Sequence, residues 1–226
     1  MSLMHSHLLS DAQFAAMQID AKILEQDERG VKVLLLANGH ILKIFRLRGF
    51  FTSSRIYSNA RSFCRNAARL KKLVIPTVSI VKLYHFEKSS NTAVLYEPLA
   101  GETIRNLLNS NALTDEACSK LGAFIARLHS LGIHFKSLHF GNIVMTPSDE
   151  LGLIDLADMR IFPWNLQLNT RVRGFKRMTR YQEDLEKMGE SRWMILLQAY
   201  IGNAQLNFKS SDHKIVEAIK KLISKK

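Results

Sequence analysis

Asn142, Asp155 and Lys43 are the residues whose types and spacing could do chemistry. Asn142 lies five residues after Ser137, in the polar loop Lys136-Ser137-Leu138-His139-Phe140-Gly141. Asp155 closes the apolar run Leu151-Gly152-Leu153-Ile154. An amide oxygen and a carboxylate on adjacent rigid elements are hard oxygen ligands, suited to Mg²⁺ when phosphate oxygens complete its shell. Lys43 sits far upstream inside Ile41-Leu42-Lys43-Ile44-Phe45 and offers the cation that a nucleotide's phosphates need from a protein. Each residue alone has a plainer reading: Lys43 as a strand-edge surface lysine, Asp155 as a turn cap, Asn142 as a turn residue beside Gly141.

The elements that must hold them are legible in outline. Residues 19–48 read as three strands, AKILEQ, VKVLLLANG and HILKIFRLR, separated by Asp27-Glu28-Arg29-Gly30 and Asn38-Gly39. Asn-Gly between two apolar runs is a hairpin signature. Residues 53–73 read as a basic helix with Ile56, Phe63, Ala67, Leu70 and Leu73 near one face, stopped by Ile75-Pro76. VSIVKLYHF and NTAVLYEPL add two more strands, five in all. After Gly101 the periodicity turns helical, at 102–109 and at 115–131. Thr114 is placed to cap the second of these helices and Gly132 to end it. NIVMT and LGLIDL are short strands joined by Pro147-Ser148-Asp149-Glu150, and helices are expected at 181–200 and 212–224. Strands first and helices later predict an α+β chain of two lobes: an extension at 1–18, a first lobe at 19–99 and a second at 100–226.

Charge adds an expectation about partners. The 226 residues carry a formal net charge of +12. From Arg29 to Phe86 there are 12 Lys or Arg and no Asp or Glu, so the whole excess sits there. A second acid-free stretch runs from Met159 to Gln182, with Arg160, Arg171, Arg173, Lys176, Arg177 and Arg180. Such asymmetry predicts an anionic partner, against the simpler reading of a basic solvated surface. Apolar residues at 46% and charged residues at 23% exclude a wholly disordered chain. No apolar run approaches the ~20 residues of a membrane span. The first residues lack the basic-then-apolar layout of a secretory signal. Cys64 and Cys118 are too few for a disulfide framework or a zinc site, which points to a reducing cytoplasm and plain helix thiols. Trp164 and Trp193 are expected to be helix-packing anchors.

The stretch Leu138-His139-Phe140-Gly141-Asn142-Ile143, followed by Leu153-Ile154-Asp155-Leu156, resembles the lipopolysaccharide-core sugar kinases. This is the Kdo/WaaP group, which includes the heptose kinases; some relatives carry the label toluene tolerance protein. Lys43 and Ile75-Pro76 match the same pattern, over roughly residues 20–200. The resemblance implies a two-lobed protein-kinase-like fold: a five-stranded antiparallel sheet plus one helix in the first lobe, and a mainly helical second lobe. It implies ATP and Mg²⁺ as cofactors, with Lys43 on the phosphates and Asn142 and Asp155 on the metal. Glu97 and Leu99 would fall where hinge backbone meets adenine. The acceptor it implies is a sugar hydroxyl of an anionic glycolipid, the lipopolysaccharide core, reached at the inner membrane face by a cytoplasmic protein.

Two positions depart from that pattern. Ser137 stands where the catalytic loop carries its Asp, and a neutral hydroxyl accepts a proton poorly; losing general-base help costs about 10²–10⁴ in rate. His134, His139 and Asp158 are nearby substitutes. The helix at 53–73 has no acid to pair with Lys43, so a partner must come from elsewhere, Asp155 being one choice. The turn at Gln26–Gly30 also lacks a G-x-G-x-x-G lid. A pseudokinase, binding nucleotide as a scaffold without transfer, is therefore the alternative. An RNA-binding reading rests on charge alone, with no RNP, zinc-knuckle or helix-turn-helix pattern behind it, and nucleic acid is not expected as a partner.

Overall fold

The computed structural model describes residues 5–46, 53–204, 217 and 221. Among them the chain is α+β, with six α-helices and a mixed sheet. The helix expected at 212–224 lies almost wholly outside the described residues, as does the side chain of Ile56. The chain divides into two compact units, residues 1–99 with 156–158, and residues 100–155 with 159–226.

The first unit is built on one six-stranded sheet. Its strands are β1 (Ser6–Leu9), β2 (Lys22–Asp27), β3 (Gly30–Leu35), β4 (Ile41–Phe45), β5 (Ser79–Phe86) and β6 (Thr92–Glu97), ordered β1-β5-β6-β4-β3-β2. Five run antiparallel to their neighbours, and β1 joins β5 in parallel, Leu9 opposite Phe86. The sheet is thus not five-stranded and purely antiparallel, and Ser6–Leu9 supply its sixth strand. β1 has only four residues, too short for periodicity to reveal.

Helix α1 (Asp11–Gln18) follows at once. Ser10 caps it by a reciprocal box: its hydroxyl accepts from Gln13 N–H (3.2 Å) and its own N–H donates to Gln13 Oε1 (3.1 Å). Phe14 and Met17 of α1 lie on a core of Leu9, Leu34, Leu42, Ile44, Ala93 and Leu95. α2 (Ser53–Lys72) covers the opposite face, burying Ala60, Phe63, Cys64, Ala67 and Leu70. Phe63 meets Phe45 edge-on at 6.0 Å and Tyr96 at 5.3 Å. Period-two alternation explains both faces: Leu42 and Ile44 point to α1, Lys43 and Phe45 to α2. The first unit therefore has two helices, not one. Burial raises the Cys64 and Cys118 thiols to about 11, so both are inert packing residues.

The second unit is helical around two small sheets. Its helices are α3 (Ile104–Asn109), α4 (Asp115–Ser130), α5 (Leu168–Met178) and α6 (Gln182–Asn203), the last broken at Gly189 into two runs. Strands β7 (Glu102–Thr103), β9 (Ile143–Met145) and β10 (Leu151–Leu153) form an antiparallel sheet ordered β10-β9-β7. Strands β8 (Ile133–Phe135) and β11 (Met159–Ile161) form an antiparallel pair. Thr114 caps α4 through Ala117 N–H at 3.1 Å. Gly132 ends α4 in the left-handed region (φ 72°), and a Cβ there would lie 2.4 Å from the carbonyl oxygens of both Phe162 and Trp164. α5 is not among the helices expected from the sequence: its buried residues Arg171, Gly174, Phe175 and Met178 fall at helical spacing, but only two of the four are large apolar side chains.

The two tryptophans part company. Trp193 is buried in α6 and stacks on Phe140 at 5.5 Å, an anchor as expected. Trp164 lies in the loop before α5, is 62% exposed and stacks on Phe162 at 5.7 Å. It is no helix anchor, because Pro163 and the chain's docking on Gly132 keep residues 162–166 out of any helix. Among the described residues no helix is long and apolar enough to cross a membrane.

Candidate functional site

The loop from β8 to β9 carries Ser137 and Asn142, and Asp155 follows β10, all in the second unit. Asn142 is buried, and its Nδ2 donates to the Ser137 carbonyl at 2.9 Å. Oδ1 is then the half of the amide left for another partner. The Asn142 carbonyl accepts from Ile154 N–H at 3.1 Å, which places Asp155 one residue from a direct bond to the loop. Asp155 has φ 54°, the left-handed region that a non-glycine residue enters only at a cost. Asp155 and Ser137 are half-buried.

An ion pair that no local sequence signal announces braces this loop. Arg105 of α3 donates from Nε to both carboxylate oxygens of Asp184 (2.9 and 3.2 Å) and from Nη2 to Oδ2 (2.6 Å). Its guanidinium also lies over the Tyr181 ring, 4.4 Å from the centroid. Tyr181 meets His139 edge-on at 5.0 Å. Gly141 leaves the space that makes this possible: a Cβ there would approach Arg105 Nη1 to 2.9 Å. Arg105 and Asp184 are 79 residues apart in sequence, so nothing in the pattern around either predicts their meeting.

The geometry also assigns the neighbouring substitutes. His139 Nδ1 accepts from Gly141 N–H at 3.1 Å, which makes it a loop cap. His134 Nε2 bonds Arg177 Nη1 at 3.2 Å. Its pKa is lowered, first by burial and then by Arg177, Lys136, Arg173 and Arg160, so at neutral pH the ring is uncharged and accepts from the guanidinium. The nitrogen a base would use is committed. Asp158 is exposed and belongs to the first unit.

In the first unit, Lys43 stands opposite Val33 of β3 and Val94 of β6. It is half-buried, with Nζ 6.0 Å from the Phe45 ring centroid. α2, on the same face, carries no carboxylate between Ser53 and Lys72. Asn66 of α2 instead donates to the Leu156 carbonyl at 2.8 Å. Glu97 ends β6 with its exposed carboxylate 3.9 Å from His40 Nε2, and Leu99 is the last residue before the second unit.

A divalent cation is compatible with the donors present. Among the described residues no three His, Cys, Asp or Glu side chains gather into a self-contained metal cage. The buried Asn142 amide and the half-buried Asp155 carboxylate would supply two oxygens. That is the sparse protein share Mg²⁺ takes when water and phosphate fill the rest of its octahedron. No protein-family model matches the chain, and no curated protein matches it.

Proposed function

We propose that the chain is a protein-kinase-like phosphotransferase that uses ATP and Mg²⁺ to phosphorylate a sugar hydroxyl of the lipopolysaccharide inner core. The observation that carries this reading is the Asn142–Asp155 arrangement: a bond from Ile154 N–H to the Asn142 carbonyl, an amide already turned by Ser137, and a left-handed Asp155. Asn142 Oδ1 and the Asp155 carboxylate hold the metal, and Lys43 neutralises nucleotide phosphate. When bound, Mg²⁺ offsets the charge that builds on the transferred phosphoryl group. The backbone around Glu97 and Leu99 takes the adenine. The acid-free stretches draw the anionic glycolipid to the inner membrane face, an attraction that weakens as salt rises.

Ser137 favours a second reading, a pseudokinase that binds nucleotide without transfer. Its hydroxyl cannot take the acceptor's proton as a carboxylate does. A thermal shift with Mg·ATP on the wild type and on Asp155→Ala tests both. Binding to the folded state alone adds about 2.7 kcal/mol at a hundredfold excess over Kd, for the wild type only. An unshifted wild type removes both readings. A shift without phosphate transfer to core oligosaccharide leaves the pseudokinase.

A further inference from the structure

We propose that the cavity between the Phe162–Trp164 loop and α5 binds the phosphate group of a phosphorylated sugar, with the sugar ring lying on Trp164. The cavity measures about 250 Å³ and is lined by His134, Phe162, Trp164, Thr170, Arg173 and Arg177, among others. It is smaller than the roughly 300–1,000 Å³ of sites for drug-sized ligands, which suits a single substituted ring.

Its cations are unbalanced. Elsewhere in the second unit three basic side chains have carboxylate partners: Arg105 with Asp184, Lys120 with Glu116 and Asp149, Arg192 with Asp115. Among the described residues no such ion pair involves Lys136, Arg160, Arg173 or Arg177. Arg160 stands directly opposite His134 in the β8–β11 ladder, and Arg177 bonds His134. Burial, and after it the repulsion of these cations, keeps that imidazole neutral. A dianionic phosphate relieves that repulsion and accepts the forked N–H groups of a guanidinium in pairs.

The aromatic wall is fixed in advance. Phe162 N–H donates to the Gly132 carbonyl and Leu166 N–H to the His129 carbonyl, both at 2.9 Å. Buried Arg171 holds the Leu166 carbonyl from Nε at 2.7 Å and the Ala204 carbonyl from Nη1 at 3.0 Å. The loop is thus tied at both ends, with an indole held mostly in water and backed by Phe162. The stacked Phe162 and Trp164 rings give the cavity one flat apolar wall, and the C–H face of a pyranose is the flat apolar partner that an indole matches. The lining contains none of Lys43, Asn142 or Asp155, so the proposal stands without the nucleotide reading.

The test titrates the full chain at low salt with glucose, galactose and mannose 6-phosphates, the free hexoses and inorganic phosphate, by calorimetry and Trp164 emission. At least one hexose phosphate should bind tenfold or more tighter than inorganic phosphate, with free hexoses silent. Arg173 is exposed, so Arg173→Gln should leave the melting temperature unchanged and weaken hexose phosphate at least tenfold. Trp164→Ala should weaken the hexose phosphate to the level of inorganic phosphate and leave the latter unchanged. Asp155→Asn should change none of these values. Absence of hexose phosphate binding, indifference to Arg173→Gln or to Trp164→Ala, or tighter binding of a short oligouridylate than of any hexose phosphate each overturns the proposal.

Discussion

Arg105 and Asp184 meet fork to fork, with Asp184 almost wholly buried and the guanidinium shared with the Tyr181 ring. Removing one partner strands the other, which costs about 3–5 kcal/mol for a buried pair. Arg105→Ala and Asp184→Ala should therefore each lower urea stability by about 3 kcal/mol, and the double variant by clearly less than the sum. Additive losses would show that the two residues act separately.

Val74 ends α2 under strain. Ile75 N–H bonds the Leu70 carbonyl at 3.0 Å and Val74 N–H the Lys71 carbonyl at 3.1 Å, the paired bonds of a Schellman motif. Glycine usually fills the left-handed position; here a β-branched residue holds φ 53°. The side chain is 75% exposed, so little packing is lost on its removal. Val74→Gly should raise stability by about 0.5–1 kcal/mol, read as a higher urea midpoint at unchanged m-value. A lower midpoint refutes the strain.

His129 makes stability depend on pH. Burial, reinforced by Arg171 and His134, lowers its pKa from 6.5 to about 3, and its Nδ1 lies 3.0 Å from the Tyr200 hydroxyl oxygen. The unfolded chain takes up that proton near 6.5 and the folded chain resists until about 3. Stability is complete above the upper value and falls as pH drops between the two, by about 1.4 kcal/mol per unit. Urea unfolding at pH 7, 6, 5 and 4.5 should show a slope steeper by about that amount in the wild type than in His129→Gln. Parallel slopes would place the proton elsewhere.

Ser137→Asp tests the loop's chemistry. If transfer is limited by the missing base, the substitution should raise phosphorylation of core oligosaccharide by about 10²-fold or more, with Mg·ATP binding unchanged. No gain, with nucleotide still bound, decides for the pseudokinase.

Legibility tracked range along the chain. The hairpin at Asn38-Gly39, the cap at Thr114, the stop at Gly132 and the strands around Lys43 were readable because each is set by residues within a turn or a pleat. Asn142 and Asp155 stood out by spacing, since short strands joined by a tight turn fix their register. β8 and β11 escape the pattern because three residues carry no period, and α5 because its buried stripe holds an arginine and a glycine beside only two large apolar residues. Arg105 and Asp184 join elements remote in sequence, which residue types alone do not express. The second acid-free stretch did mark the residues that line the cavity beside Trp164, though not their convergence on His134.

The parallel pairing of Ser6–Leu9 with β5 has a consequence for handling the protein. Those four residues occupy what is otherwise a raw margin of amides and carbonyls, and Leu9 plugs the layer beneath it. A shortened version starting at residue 19 would bare that margin and invite copies to stack along it. Expression designs that trim the leading segment as dispensable should yield aggregates, whereas designs that retain it leave a strand of only four residues at that edge.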